Sequence, residues 1–197
     1  EQSWNFEQAD RFVAFANSKD LKVVGHCLVW AKDDRTPAWF YQDGAAPASK
    51  EVLLARMKSY IETVVGRYKG KISAWDVVNE ALDDGKAELR ESGWTRAAGE
   101  DFIALAFEYA HAADPSAQLI YNDYNNELDG KREKMLALLA RLKDCSLSAR
   151  SNRPWLGQRP LTHPSTKSVR LQLIHPCPCV SAETMALGWA SPGLRTQ

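Results

Sequence analysis

The sequence contains no long apolar run and no excess of charge of either sign, and each absence disfavours a class of protein. A helix that crosses a membrane needs about 20 consecutive apolar residues, and the 197-residue chain has no such run. Its 25 basic and 25 acidic residues cancel, whereas a nucleic-acid-binding protein presents a basic face to the phosphate backbone. Neither a membrane nor a nucleic acid is therefore expected as a partner. No signal peptide is recognisable, although a chain that begins at Glu1 rather than Met is compatible with an absent upstream segment.

Cysteine is scarce and Gly-rich loops are missing, which disfavours a disulfide scaffold, a metal site and a nucleotide-binding fold. Cys27 lies in an apolar run and is predicted to be a small core residue. The remaining cysteines and the histidines near them lack the spacing of a zinc site; they are Cys145, Cys177, Cys179, His163 and His175. No Gly-rich phosphate-binding loop follows a predicted strand.

The composition changes abruptly after Asp144. Residues 1–144 hold 19 basic and 24 acidic side chains, whereas residues 145–197 hold six basic side chains and Glu183 alone. Six of the nine prolines lie in this last part, where no helical or strand period continues. We predict that residues 1–144 form the folded domain and that residues 145–197 form an irregular tail that is disordered or loosely packed. Our hypothesis for the tail is a shifted reading frame or a mis-assembled sequence, which sequencing the source DNA across codon 144 would test.

Helical and strand patterns alternate along the first 144 residues. Helices are predicted over residues 6–19, 50–69, 95–113 and 130–143, and strands over residues 21–30, 72–78 and 119–122. This order favours an α/β fold with parallel strands joined by crossover helices. The pattern alone leaves open a doubly wound sheet or a closed barrel. The chain is short for a complete eight-unit β/α barrel, which needs about 250 residues.

Polar and aromatic side chains collect where the predicted strands end. In parallel β/α proteins the working residues lie at the C-terminal ends of the strands. Three strands carry such residues there: His26 and Trp30, then Asn79 and Glu80, then Asn122, Asp123, Tyr124 and Asn125. A sugar ring stacks on aromatic faces, and its hydroxyls need paired donors and acceptors. These strand ends are therefore predicted to bind a carbohydrate. A further aromatic cluster, Trp39, Phe40 and Tyr41, either lines the same groove or caps the barrel.

Glu80 is the member of this set best suited to acid catalysis. It follows a mostly apolar run, and a carboxyl in a partly dry setting stays protonated near neutral pH, as the leaving oxygen of a glycosidic bond requires. The competing interpretation is an ion pair with Lys32 or Arg96. Asp76 lies inside the strand and is predicted to form a buried structural pair rather than to catalyse. A lone histidine at a strand end, such as His26, is by itself more typical of a structural residue.

Six short blocks occur in one order along residues 1–144. They are Asn5-Phe6 through Ala9-Asp10, Gly25-His26-Cys27-Leu28-Val29-Trp30, Arg67-Tyr68-Lys69-Gly70, Trp75 to Ala81, Ala113-Asp114-Pro115, and Asn122-Asp123-Tyr124-Asn125. Together they resemble family 10 of the glycoside hydrolases, the group of endo-β-1,4-xylanases. Six blocks in the same order are a far more specific signal than any single block.

The resemblance implies a partial (β/α)8 TIM barrel, a retaining mechanism, and xylan or a xylo-oligosaccharide as the substrate. It implies no metal and no organic cofactor. The residue roles that it implies are Glu80 as acid/base, Asn79 as a contact to the sugar 2-hydroxyl and the nucleophile, His26 and Trp30 as the lining of the glycone subsite nearest the cleaved bond, and Asn122 and Tyr124 beside the same cleft. For His26, the resemblance thus favours substrate binding over a structural role.

Three departures from the family pattern bear on activity. Ala31 stands where the family usually has a histidine, so a hydroxyl contact is expected to be lost or replaced by Asp33 or Lys32. The chain begins after the family's Glu-Asn and Lys-Trp block, so the first two strands are expected to be missing. The family's nucleophile lies in a Thr-Glu-Leu-Asp type block on the seventh strand, and the sequence contains no such block. We therefore expect no nucleophile in this chain and little or no xylanase activity.

The leading prediction is an endo-β-1,4-xylanase fragment that is inactive by itself. One alternative is a non-catalytic carbohydrate-binding half-barrel that uses Trp30 and Tyr124 as platforms. Another is a related barrel glycosidase that acts on a different β-1,4-glycan. Because xylan is a polymer outside the cell, the intact parent is expected to be extracellular or periplasmic.

Overall fold

The computed structural model describes residues 4–148 and 168–172. Its α-helices are α1 (Glu7–Ser18), α2 (Lys50–Arg67), α3 (Gly93–Ala98), α4 (Asp101–Ala113) and α5 (Asp129–Ser148). Its strands are β1 (Lys22–Trp30), β2 (Gln42–Asp43), β3 (Ala46–Pro47), β4 (Ala74–Asn79), β5 (Gln118–Asn122) and β6 (Ser168–Gln172).

Strands β5, β4, β1 and β6 form one parallel sheet in that order. The register pairs Trp30 of β1 with Asn79 of β4, and Asn79 with Asn122 of β5. The prediction of parallel strands joined by crossover helices is confirmed for β1, β4 and β5. Because the strands run in the same direction and in this register, the C-terminal ends of β1, β4 and β5 lie at one edge of the sheet.

Helix α2 shows how the sequence dictates an element that supports this sheet. Its N-cap is Ser49, whose side chain accepts a hydrogen bond from the Val52 amide at 3.3 Å, as preferred caps do. Residues at helical spacing form its buried face: Leu53, Met57, Tyr60, Ile61, Val64 and Val65. Helix α2 begins at Lys50, as predicted, and packs against α4.

The predicted third helix, residues 95–113, is wrong as a single element. Helix α3 ends before Gly99, whose φ of 63° lies in the left-handed region that glycine reaches without steric cost. Helix α4 then begins at Asp101. Helix α3 also has a capping box, in which Ser92 and Thr95 each bond the backbone amide of the other. Helical periodicity spans both helices and therefore does not reveal the break.

At the centre of the core, Gly25 of β1 lies in close contact with Trp75 of β4. Trp75 of β4 is fully buried and lies in register with Gly25 of β1. A Cβ atom at Gly25 would lie 2.2 Å from the Trp75 ring. Only glycine leaves room for this indole, which accounts for the Gly in the Gly25 to Trp30 block. Cys27, two residues along β1, is buried in the core as predicted, and burial raises the pKa of its thiol.

The loop after β1 is more ordered than its composition indicates. It contains two 3-10 turns, Asp33–Arg35 and Ala38–Tyr41, followed by the antiparallel hairpin of β2 and β3. Phe40 is buried, and its ring centroid lies 5.6 Å from that of Trp94 on α3. Of the two interpretations of the aromatic cluster, packing is thus the one observed for Phe40.

The predicted boundary at residue 144 falls inside α5, which continues to Ser148. One segment of the predicted irregular tail, β6, is a strand that pairs in parallel with β1. The rest of the tail, including Glu183 and the cysteines and histidines named above beyond residue 148, lies outside the described residues. The predictions of a disordered tail and of a shifted frame therefore stay predictions. Among the described helices, none has the length and apolar character needed to span a membrane.

Candidate active site

The C-terminal ends of β1, β4 and β5, together with the residues that directly follow β4 and β5, are termed the rim. The rim brings together five of the six predicted site residues: Trp30, Asn79, Glu80, Asn122 and Tyr124. The sixth, His26, lies four residues before the end of β1 and is in register with Asp76 of β4. The rim therefore gathers residues that lie up to 94 positions apart in the sequence.

Two asparagine side chains at the rim are bonded to each other. The side-chain amide of Asn122 donates to the side-chain oxygen of Asn79 at 2.7 Å. Asn79 is buried, so this bond satisfies its oxygen and orients the amide. The NH2 group of Asn79 is then the part of the side chain that can donate to a bound ligand.

Glu80 directly follows β4 in an unusual backbone conformation. Its φ is 55°, a left-handed value that costs a non-glycine residue about 1–2 kcal/mol. Its backbone amide donates to the Asn122 carbonyl at 2.9 Å, and its side chain is 21% exposed. The Glu80 carboxyl is therefore mostly shielded from water but partly accessible to solvent.

The cation beside Glu80 is neither of the two that the sequence suggested. Arg90 Nη2 lies 4.0 Å from Glu80 Oε2. Lys32 instead lies 4.0 Å from Asp34, and Arg96 pairs with Asp33 at 2.6 Å and with Glu91 at 3.1 Å. The competing interpretation of Glu80, an ion pair with Lys32 or Arg96, is therefore wrong. No spacing rule relates Arg90 to Glu80, because the loop between them folds back on itself.

His26 and Asp76 form the buried pair that was predicted for Asp76. His26 Nδ1 lies 2.7 Å from Asp76 Oδ2, and the Asp76 side chain is inaccessible to solvent. This bond fixes the orientation of the imidazole ring. The ring meets Trp30 edge to face, with centroids 5.7 Å apart. His26 is thus held structurally on one side while it contacts a predicted sugar-binding residue on the other.

Trp30 combines a fixed ring with an unsatisfied donor. Its Nε1 is buried and has no hydrogen-bond partner within residues 4–148 and 168–172. The Arg35 guanidinium lies 5.2 Å from the ring centroid, a cation–π arrangement. A buried polar group without a partner is uncommon in folded proteins, but Trp75 Nε1 in the core shares this feature, so the feature does not by itself mark Trp30 as a ligand position.

Ala31, where a histidine was expected from the resemblance, is buried behind the rim and donates its backbone amide to the Asn79 carbonyl at 3.0 Å. Its suggested replacement Asp33 is engaged elsewhere, since it accepts hydrogen bonds from the Gly93 amide at 2.5 Å and from Arg96 at 2.6 Å. Asp33 thus joins the loop after β1 to α3. A substitute contact to a sugar hydroxyl from Asp33 or Lys32 stays a prediction.

Tyr124 presents an exposed ring flanked by two cations. The Tyr124 residue is 39% exposed. The Arg90 guanidinium lies 5.5 Å and the Lys131 ammonium 4.7 Å from the centroid of its ring. The hydroxyl accepts from Arg90 at 2.6 Å and donates to Asp84 in a short bond. The hydrogen bond to Asp84 raises the pKa of Tyr124. The predicted aromatic platform is therefore held in a charged network that the sequence did not reveal.

The chain is similar in sequence to known proteins. The profile of Glycosyl hydrolase family 10 matches residues 1–148. Endo-1,4-beta-xylanase B of Paenibacillus barcinonensis is 49% identical over 147 residues, which are 73% of this chain and 43% of that protein. Exoglucanase XynX of Acetivibrio thermocellus is 44% identical over 153 residues, 73% of this chain and 14% of that protein.

A solved structure gives the same result for the fold. The intracellular xylanase TsXylA of Thermoanaerobacterium saccharolyticum, crystallised as a mutant with xylotriose, superimposes with a TM-score of 0.69 at 42% identity. The match covers 74% of this chain and 47% of that chain. The chain thus spans less than half the length of these relatives, and its described part is a partial (β/α)8 barrel. The chain belongs to glycosyl hydrolase family 10.

Proposed function

We propose that this chain carries the proton-donating part of an endo-β-1,4-xylanase site, which cleaves internal β-1,4-xylosidic bonds of xylan with retention of configuration. The observation that carries the proposal is Glu80 at the rim, where it is beside the bonded amides of Asn79 and Asn122 and near the His26–Trp30 pair. The chain belongs to a family whose named relatives are mainly xylanases.

Each rim residue has a chemical task in the proposed reaction. Glu80 protonates the leaving glycosidic oxygen and, in the second step, takes a proton from the attacking water. The NH2 group of Asn79 donates to the sugar 2-hydroxyl, since its oxygen is already bonded to Asn122. Trp30 and His26 bind the sugar on the glycone side, and the Tyr124 ring provides a stacking surface beside the same cleft.

The retaining mechanism also needs a nucleophilic carboxylate about 5–5.5 Å from the acid. The sequence has no Thr-Glu-Leu-Asp block, and Glu183 is the only acidic residue after Asp144. We therefore propose that these 197 residues have little or no xylanase activity alone, although they bind xylo-oligosaccharides. The relative that was crystallised with xylotriose makes that trisaccharide the natural probe.

A second candidate is action on, or binding to, a β-1,4-glucan. The relative named Exoglucanase XynX favours it, because this protein is 44% identical to the chain. A third candidate is a half-barrel that only binds carbohydrate, which also needs no nucleophile block.

We propose that the intact parent acts outside the cytoplasm, because xylan is a polymer outside the cell. One relative, TsXylA, is described as an intracellular xylanase.

The test measures binding and turnover in the same preparations. Xylotriose and cellotriose are titrated calorimetrically into the purified chain, into Trp30→Ala and into Glu91→Gln. Reducing ends are measured after xylan is incubated with the purified chain and with Glu80→Gln. Glu91→Gln is the matched control for Glu80→Gln, since the Glu91 side chain is 77% exposed and pairs only with Arg96 among the described residues.

We expect xylotriose to bind more tightly than cellotriose, with at least a 10-fold loss in Trp30→Ala and no change in Glu91→Gln. We expect no more reducing ends from the chain than from Glu80→Gln. Xylan turnover that Glu80→Gln abolishes would support the acid role and refute the proposed inactivity. Preference for cellotriose would favour the glucan candidate, and binding of neither sugar would overturn the carbohydrate site.

A further inference from the structure

We propose that Lys131 and Lys134, on the first turns of α5, are positioning residues that hold the loop from Glu80 to Arg90 and thereby place the Glu80 carboxyl at the rim. The inference rests on the proposed role of Glu80 as proton donor. It concerns residues that neither the resemblance nor the rim itself singles out. We term residues 80–90 the acid loop.

The acid loop begins in a conformation that needs external support. Glu80 has the left-handed φ of 55° described above, which the surrounding structure must stabilise. The amides of Ala81 and Leu82 both donate to the Tyr121 hydroxyl, each at 3.1 Å. The Leu82 amide also lies 3.3 Å from Asp123 Oδ2. The first residues of the loop are therefore bonded to side chains of β5 and the residue that follows it.

Lys131 binds the first residues of the acid loop, which form its base. Its Nζ donates to the Leu82 carbonyl at 2.8 Å and lies 2.7 Å from Asp84 Oδ1 and 3.1 Å from Asp123 Oδ1. Its side chain is only 4% exposed, and that of Asp123 is fully buried. Burial alone would lower the pKa of Lys131, but the hydrogen bonds with Asp84 and Asp123 raise it, so the ammonium stays charged. Asp123 in turn accepts from the Tyr121 hydroxyl at 2.6 Å.

Lys134 binds the far part of the loop. Its ammonium donates to three loop carbonyls, those of Asp83 at 2.9 Å, Gly85 at 2.7 Å and Ala87 at 2.6 Å. An ammonium has three N–H donors, so this set uses its full capacity. Lys131 and Lys134 are three positions apart on α5 and therefore lie on the same face of the helix. One helix face thus anchors the loop at its base and at its tip.

The loop returns to Glu80 through Arg90. The Arg90 amide donates to the Ala81 carbonyl at 2.8 Å, and the Asp83 amide donates to the Glu88 carbonyl at 3.1 Å. This closed path places the Arg90 guanidinium 4.0 Å from the Glu80 carboxyl. Displacement of the loop therefore alters the position of Glu80 and its distance from the neighbouring cation together.

The experiment compares Lys131→Met and Lys134→Met with Lys58→Met in the full chain. Lys58 is a control because its half-exposed side chain lies on α2, 3.9 Å from Glu62. Lys131→Met/Asp123→Asn is included, since it removes a buried ion pair as a unit and avoids an unpaired buried carboxylate. Amide hydrogen exchange of residues 81–90 is measured by NMR, together with the 13C resonance of the Glu80 carboxyl, which is assigned from its loss in Glu80→Gln.

We expect amide exchange at Ala81 and Leu82 to rise at least 10-fold in Lys131→Met and in the double variant. We expect a similar rise at Asp83 in Lys134→Met, and changes below 2-fold in Lys58→Met. The Glu80 carboxyl resonance should move in Lys131→Met, in Lys134→Met and in the double variant, while amide exchange in β1 and β4 stays within 3-fold of the wild type. This resonance separates positioning from a general loss of stability.

Three results would overturn the proposal. They are unchanged exchange at residues 81–83 with an unmoved Glu80 resonance, equal acceleration across β1, β4 and the loop in the double variant, and loop amides that exchange at the unfolded-chain rate in the wild type. None of these readouts requires turnover. A chain that binds no sugar but shows the expected exchange pattern would refute the proposed function and leave the positioning intact.

Discussion

Replacement of Gly25 by alanine tests whether the contact between β1 and Trp75 sets the position of β4. The added Cβ would lie 2.2 Å, 2.3 Å and 2.9 Å from ring carbons Cε3, Cζ3 and Cδ2 of Trp75. Carbon atoms in contact are separated by about 3.5–4.0 Å, so the ring or the strand has to move by more than about 1 Å. Trp75 is completely buried in the core, where closely packed neighbours oppose such a shift.

The expected effect is a loss of about 3 kcal/mol in the free energy of unfolding, at the upper end of the usual range for overpacking. The group that has to move is a rigid buried indole and not the end of a flexible side chain, which is why the upper end applies. The assay is urea-induced unfolding followed by tryptophan fluorescence and circular dichroism. Because Trp75 lies four residues before Asn79 on β4, the variant should also weaken binding at the rim.

Two further variants make this reasoning refutable. Gly66→Ala is the matched control on α2, where an added Cβ meets no atom within 4 Å, and it should stabilise the chain by about 0.5 kcal/mol. Trp75→Leu removes the obstructing ring, so Gly25→Ala/Trp75→Leu should lose less than the sum of the single losses. A Gly25→Ala variant within 0.5 kcal/mol of the wild type, or strict additivity in the double variant, would refute the steric argument.

Asp114→Asn should lower the free energy of unfolding at pH 7 by about 1 kcal/mol, because the carboxylate accepts bonds from the Gly70 amide at 3.0 Å and from the Ser116 amide and hydroxyl at 2.9 Å and 2.6 Å. Burial opposes ionisation, but these bonds lower the pKa of Asp114; its contribution is therefore present above the unfolded value of about 3.9 and is lost as the pH falls through the folded value. Urea titrations should show the gap to the wild type narrowing between pH 7 and pH 3, and a constant gap would contradict this origin. Asp76→Ala should lower the free energy of unfolding by about 3 kcal/mol because it breaks a buried pair with His26, whereas Asp76→Asn keeps an acceptor and should lower it less. If circular dichroism gave the two variants the same melting temperature, the role of that bond would be disproved.

Features that depend on neighbours in the sequence were predictable. The cap at Ser49 and the buried face of α2 follow from side chains a few positions apart, because a helix brings residues i, i+3 and i+4 together. The convergence of Trp30, Asn79 and Asn122 was also predictable, since parallel strands align their C-terminal ends. The six short blocks carried the family, and the match over residues 1–148 confirms it.

Features that depend on the path of a loop or on a contact between distant segments were not predictable. Helical periodicity continues across Gly99, and only its backbone conformation separates α3 from α4. Strand β6 lies in a segment whose composition predicted no regular element. The two cations that the sequence offered as alternative partners of Glu80 pair elsewhere, because charge alone does not indicate which cation the chain path brings within reach.

The sequence by itself determined the family and the parallel strands, and it predicts Glu80 as the acid, because local residue patterns carry this information. Only the tertiary structure decided what surrounds Glu80: Arg90 at 4.0 Å, the bonded amides of β4 and β5, and two lysines of α5 that bind the acid loop. The physical reason is that a hydrogen bond or an ion pair depends on distances of a few ångströms between groups some 10 to 50 residues apart. Such distances are set by how helices and loops pack on the sheet, and no residue spacing encodes them.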